Sequence, residues 1–195
     1  MTTTTNTNMN TTTNMNTIYS FVTQGSAPSA TQARFDRARN SKLVLSGNRV
    51  IKRGTVGATE REYEMLTRAR ELGVSVPHCK LVDDCTLSLQ FIPHGETMWD
   101  HLQHGTLTKK MLAAVKSALI TMWKAGIVHG DLHINNVLVD REGNVYIIDM
   151  ASSWDAQVLA STFGEGEDYS ADIKEGIEAD KAAFKASLAT ARATL

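Results

Sequence analysis

The sequence predicts an α+β fold, β-rich over its first half and mainly helical over its second. Three observations carry that expectation. Strand–turn–strand patterns occupy residues 43–52 and 80–92. Helical periodicity runs through 59–72, 109–124 and 173–188. A short apolar hairpin at 137–148 is framed by Asp131, Asn136 and Asp149.

Composition narrows the function classes. At 195 residues the chain suits one compact domain, and 42% hydrophobic with 21% charged residues is ordinary for a globular protein. Net charge is −1, with no basic run beyond Lys109-Lys110 or the Arg68-Ala69-Arg70 cluster, so nucleic acid is not expected as the primary partner. No apolar segment reaches the length of a membrane span, and a cytoplasmic monomer is expected. Cys79 and Cys85 flank Lys80 to Asp84, a strand entering a turn. With Asp83-Asp84 as the tip, Cys85 pairs with Val82 and not Cys79, and free thiols are expected. His101 and His104 stand at helical spacing without companion ligands, and read as surface residues rather than a zinc site.

Residues 1–17 contain only Met, Thr and Asn, which cannot bury a core, so a disordered tail is expected. From Ile18 the chain turns strand-like and runs into Gln24-Gly25-Ser26-Ala27-Pro28. Leu43–Leu45 and Arg49–Lys52 flank Ser46-Gly47-Asn48 as a hairpin, because Gly and Asn accept the positive φ of a tight reversal. Thr59 to Leu72 reads as a helix closed by Gly73, with Met65, Leu66, Ala69 and Leu72 as its inward stripe. Glu62 falls on that inward face, while Glu60, Glu64, Arg68 and Glu71 fall on the solvated one. Thr59 and Glu62 also have capping-box spacing, a competing role for the same carboxylate. Two strands follow, Lys80–Val82 and Thr86–Ile92, then a short helix around Trp99 and Leu102. Thr108 is the expected N-cap of a helix from Lys109 to Lys124, whose apolar face runs from Met111 to Trp123. After Asp149 comes one long helical stretch, Ile173 to Leu188.

The chemistry concentrates in Val128-His129-Gly130-Asp131-Leu132-His133-Ile134-Asn135-Asn136, with Tyr146-Ile147-Ile148-Asp149 returning eighteen residues after Asp131. The spacing places two carboxylates and an amide around one cleft on a rigid hairpin. Transfer of a phosphoryl group needs such a set, because catalysis there is positioning plus charge neutralisation. A metallophosphoesterase also uses Gly-Asp-x-His, but no later Gly-Asn-His completes its ligands here. The segment resembles the catalytic loop and metal-binding Asp of the protein-kinase-like superfamily. The variant His-Gly-Asp-Leu-His resembles its atypical branches: aminoglycoside and choline phosphotransferases, RIO-type kinases and the small kinase of the KEOPS complex.

The resemblance implies a minimal bilobal kinase fold over residues 18–195. Its β-rich N-lobe (about 18–92) carries one αC-like helix, and its truncated, mainly helical C-lobe covers about 95–195. ATP and Mg²⁺ are the implied cofactors. Val50-Ile51-Lys52 resembles the strand whose Lys holds phosphates, with Glu62 as its helical partner; an exposed strand-end Lys is the alternative. Gly25 and Ser26 stand where a glycine-rich loop would cradle phosphate, though an ordinary turn reads equally well. Backbone near Gln90 and Ile92 would bind adenine. Asn136 and Asp149 would hold metal, with Asp131 as catalytic base. His129 would support the loop. Asp180 would hold the loop from a helix, or else be a solvated helix Asp.

Gly130 and Met150-Ala151 replace the Arg and the Phe-Gly that activation-loop phosphorylation works through, so constitutive activity is expected. The tail resembles secretion signals of type III effectors, and a plain disordered tail reads as well. Small size and tail together resemble minimal effector kinases that modify host proteins such as chaperones, which puts a Ser/Thr protein kinase acting in a host cell first. A small-molecule phosphotransferase comes second, because only forty-six residues follow Asp149. A KEOPS-like subunit comes third. A kinase-fold binding module without catalysis is the non-enzymatic alternative.

Overall fold

In the structure, a computed structural model, residues 42–194 are described. The Thr/Asn-rich tail, the strand-like residues from Ile18 and the Gly25–Ser26 turn lie outside the described residues. Strand β1 (Lys42–Ser46) turns through Gly47, at φ +59°, into β2 (Arg49–Arg53), with Ser46 opposite Arg49. Strands β3 (Cys79–Asp83) and β4 (Thr86–Gln90) complete an antiparallel sheet in the order β1-β2-β4-β3. Alternation along β2 buries Val50 and Lys52 on one face.

Helix α1 (Val56–Glu71) packs on β3 and β4 and begins a turn before the residues the sequence marks. Thr55 is its extended N-cap, so Thr59 is an interior position, buried at 3%, and the capping-box alternative for Glu62 falls away. At the other end, Gly73 takes φ +80°, its N–H donates to the Arg70 carbonyl at 3.0 Å, and Val74 N–H reaches Ala69 at 2.8 Å. This is a Schellman motif, which turns the C-cap outward and brings the residue after Gly73 onto the helix. Leu72 is therefore 45% exposed, against expectation, and Val74 at 3% takes its place in the core.

The β3–β4 turn also differs from expectation. Asp83 Oδ1 accepts the Cys85 N–H at 2.9 Å, a side-chain turn that sets Asp83 opposite Thr86 and leaves Asp84-Cys85 at the tip. Cys85 thus has no partner at Val82. Both cysteines are free thiols.

A second antiparallel sheet, β5 (Glu96–Thr97), β6 (Val137–Val139) and β7 (Val145–Ile147), sits below the first. Two-residue β5 leaves no periodic trace in sequence. Thr97 and Asp100 form a capping box at the start of α2 (Met98–Gln103). Helix α3 (Lys109–Lys124) has the predicted bounds and cap, Thr108 accepting from Met111 N at 3.1 Å. His101 is not a surface residue: it is buried, its Nδ1 2.8 Å from Thr106 Oγ1 and its Nε2 3.3 Å from the Val139 carbonyl. Helices α4 (Ala156–Phe163) and α5 (Ser170–Ala193) finish the chain. One core joins both parts, running from Leu87 and Ile92 through Met98, Met122 and Leu138 to Met150. Among the described residues no helix is long and apolar enough to cross a membrane.

Candidate active site

Two apolar residues, Ile127 and Val128, lead into the site from the end of α3, and Val128 exchanges backbone hydrogen bonds with Trp154 at 2.9 and 3.0 Å. The loop that follows is fixed from both sides. Asp180 of α5, 3% exposed, accepts the His129 N–H at 2.7 Å and the Gly130 N–H at 3.1 Å. It is the loop-holding carboxylate and not a solvated helix residue. Fully buried His129 places Nε2 2.9 Å from the Ile148 carbonyl, and its Nδ1 accepts the Asp131 N–H at 3.3 Å. Gly130 sits at φ +76°, and a Cβ there would collide with the Ser152 carbonyl oxygen. Glycine is demanded by that close approach as well as by the dihedral.

Asp131 stands at the mouth of this loop with its side chain 48% exposed. Asn136 Nδ2 donates to the Asp131 carbonyl at 2.9 Å, which ties the two ends of the motif together. His133 Nδ1 accepts from Asn135 N at 3.2 Å, and its Nε2 lies 3.2 Å from Asn136 Nδ2 and 3.8 Å from Asp131 Oδ2. Burial pushes the Asp131 carboxyl above the usual carboxylate range, His133 and His129 opposing it. Burial also lowers His133, although Asp131 pulls the other way. A pocket of about 350 Å³ opens beside Asp131, lined among others by Leu132, Trp154, Gly176 and Ala179.

Above the loop lies an ion cluster. Lys52 Nζ donates to Glu62 Oε1 at 2.9 Å and to Asp149 Oδ1 at 2.7 Å. Lys52 and Glu62 are 6% and 2% exposed, so the exposed-lysine alternative does not hold. Burial pulls the Lys52 ammonium down, but Glu62 and Asp149 outweigh it and hold it well above the ordinary lysine value. For Asp149 burial works upward, and Lys52 outweighs it to keep the carboxyl below its ordinary range. Asp149 adopts a left-handed backbone (φ +60°, ψ +59°), which costs a non-glycine residue about 1–2 kcal/mol and is tolerated best by Asp and Asn. Ile148 N–H to the Asn136 carbonyl at 3.0 Å and buried Met150 hold that turn.

The structure thus brings Lys52, Glu62 and Asp149 into contact, and joins Asp131 to Asn136. Gln90 and Ile92 are placed apart from the cluster, since Lys52 lies opposite Leu87, three residues back along β4 from Gln90. The Gln90 N–H donates to His78 O at 2.6 Å, the Ile92 carbonyl accepts from Gly95 at 3.1 Å, and the Ile92 side chain is in the core. Sequence reasoning missed one contact near the site. Arg68, read as solvated, pairs with Asp155.

The donors suit a hard divalent ion only in part. Among the described residues no group of three or more His, Cys, Asp or Glu could hold a metal. One carboxylate and one amide, Asp149 and Asn136, are what remains of an ion site when phosphate oxygens complete it, and Mg²⁺ favours that arrangement.

The family model described as a RIO domain matches residues 29–162. The KEOPS complex subunit Bud32 of Pyrococcus abyssi is 37% identical over 95 residues, covering 47% of this chain and 42% of that protein. A 3-deoxy-D-manno-octulosonic acid kinase of Vibrio vulnificus is 27% identical over 96 residues, covering 45% of this chain and 41% of that protein. The chain therefore spans about two fifths of the length of these relatives. The crystal structure of monomeric WbdD superposes with a TM-score of 0.50 at 19% identity, over 64% of this chain and 36% of that one, which is a likeness of fold. With its α+β architecture and the matched span carrying Lys52, Glu62, Asp131, Asn136 and Asp149, the chain belongs to the RIO domain family of the protein-kinase-like superfamily.

Proposed function

We propose that this protein is an ATP-dependent phosphotransferase acting on a hydroxyl group. One observation carries the reading: Lys52 bonds both Glu62 of α1 and Asp149, the latter 97 residues further along the sequence, beside the Asp131–Asn136 loop. A structural hairpin has no use for a buried ammonium shared by two carboxylates, because such a cluster carries a large desolvation cost.

In the reaction, Lys52 turns from Asp149 to the phosphates while Glu62 keeps it oriented. Asp149 and Asn136 would hold Mg²⁺, which supplies charge neutralisation on the phosphate oxygens when bound. Asp131 orients the acceptor hydroxyl and takes its proton. The acceptor oxygen forms the bond to the γ-phosphorus, the bond from that phosphorus to the β–γ bridging oxygen breaks, and ADP departs. The raised carboxyl of Asp131 suits a proton acceptor better than an ordinary aspartate would.

A Ser or Thr side chain of a protein is our first acceptor, because a half-exposed Asp131 can meet a hydroxyl presented from outside. A sugar hydroxyl is the second. The Vibrio vulnificus relative is named for a sugar acid, and the pocket beside Asp131 falls in the size range of small-molecule sites. The test is transfer from γ-labelled ATP with Mg²⁺ into a protein mixture and into a metabolite extract, wild type against Asp149→Ala. Labelled proteins lost in the variant establish the first acceptor, and labelled small molecules the second. Nucleotide binding without transfer in either mixture would leave a binding module.

A further inference from the structure

The two elements that carry the acidic partners of Lys52 meet a second time. Glu62 lies on α1 and Asp149 follows β7. Six residues beyond Glu62 comes Arg68, and six beyond Asp149 comes Asp155. Arg68 Nε faces Asp155 Oδ2 as an ion pair. Both atoms are sealed from solvent and have only each other as polar partner, although the Arg68 side chain as a whole is 35% exposed. Asp155 cannot wander. Its side chain is 4% exposed, and Oδ1 caps α4 by accepting the N–H groups of Gln157 at 2.9 Å and Val158 at 3.1 Å. Between the two ion pairs, the Met150–Ser152 turn packs against α1, with Met65 and Met150 both buried.

We infer that Arg68 is a positioning residue: its pairing with Asp155 clamps α1 onto the segment after Asp149, so that Glu62 meets Lys52 with no added phosphate. A helix pinned at one point can pivot about it. Two points six residues apart, about 9 Å along the axis, fix both its distance and its swing. The pair is also costly to open, because withdrawing Arg68 leaves Asp155 Oδ2 buried and uncompensated. No modification is needed to supply the partner of Arg68, since it is a side chain of the protein itself. This deepens the phosphotransferase reading and rests on it for the catalytic consequence alone.

The test uses the full chain carrying Arg68→Gln or Arg68→Lys, with Glu64→Gln as an exposed control on the same helix. Three quantities are read: steady-state kinetics against ATP, hydrogen exchange of the α1 amides, and labelling of Lys52 by an amine reagent. Arg68→Gln is expected to lower kcat about ten-fold or more while KM for ATP moves little, since a displaced Glu62 misplaces Lys52 in the transition state. Exchange in α1 and labelling of Lys52 should rise, the control should behave as wild type, and Arg68→Lys should recover most of the loss. Wild-type kcat and exchange in Arg68→Gln would overturn the clamp. Faster exchange spread over the whole chain, with no rescue by lysine, would overturn it too by showing a merely structural role. If wild type transfers no phosphate at all, the proposed function fails, while exchange and labelling still decide the clamp.

Discussion

The cleft is walled by two regions built in opposite ways. Around Lys52, three charged side chains from a strand, a helix and a left-handed turn hold one another, and each would be expensive alone. Around Asp131, residues close in sequence hold one another through hydrogen bonds between side chain and backbone, with Asp180 as the anchor from outside. In the proposed reaction the first region suits an exchange of partners, since Lys52 would release Asp149 to meet phosphate. The second suits rigidity, since Asp131 would keep its place while a proton moves. A buried charge cluster is strong only when complete, whereas a backbone-held loop loses little when its exposed side chain is changed.

Replacing one member of each region should break that comparison most sharply. Lys52→Met leaves Glu62 and Asp149 without their counter-ion, so chemical denaturation should show a loss of about 3–5 kcal/mol together with loss of transfer. Asp131→Asn should abolish transfer by a factor of about 10²–10⁴, while stability stays within about 0.5 kcal/mol of wild type. Equal destabilisation by both variants would show that the two regions are one unit.

The loop's dependence on its anchor is a smaller effect. Asp180→Asn keeps the shape but leaves one neutral acceptor in place of two charged ones and turns its N–H₂ toward one of the two N–H donors, costing about 1–3 kcal/mol. Amides of His129 and Gly130 should exchange faster, and those of β2 should not. Uniform acceleration in both places would contradict the division.

Acidification separates the regions by the smallest margin. Burial raises Asp131, so its base form, and with it kcat/KM, should fade on acidification above the ordinary aspartate value of 3.8. Asp149 is lowered from 3.8 by Lys52 in the folded state, so its contribution to stability is present above the unfolded value and is lost only as pH falls through the lower folded one. Activity should therefore decline at a higher pH than the thermal midpoint does. A coincident decline in the two profiles would overturn this assignment.

How much of this was legible in sequence followed the same division. The β1–β2 hairpin and α3 were readable because turn glycine, cap and period are local signals, and α3 begins and ends where they say. The Asp131 loop was readable because its partners lie within a few residues. Leu72, His101 and Cys85 were misplaced for a shared reason. A Schellman turn, a carbonyl on a distant strand and an aspartate side-chain turn each moved a residue that local pattern had assigned elsewhere.

The sequence by itself determined the α+β class, the motif residues and their spacing, because these depend on short-range periodicity and on side chains that chemistry allows at few positions. Only the tertiary structure decided that Glu62 serves Lys52 and not a helix cap, that Asp180 grips the loop, and that Arg68 meets Asp155. Glu62 and Asp180 each had two solutions of similar local quality. Burial removed water as the alternative partner, and the counter-charge or N–H brought to each one by the fold settled the choice.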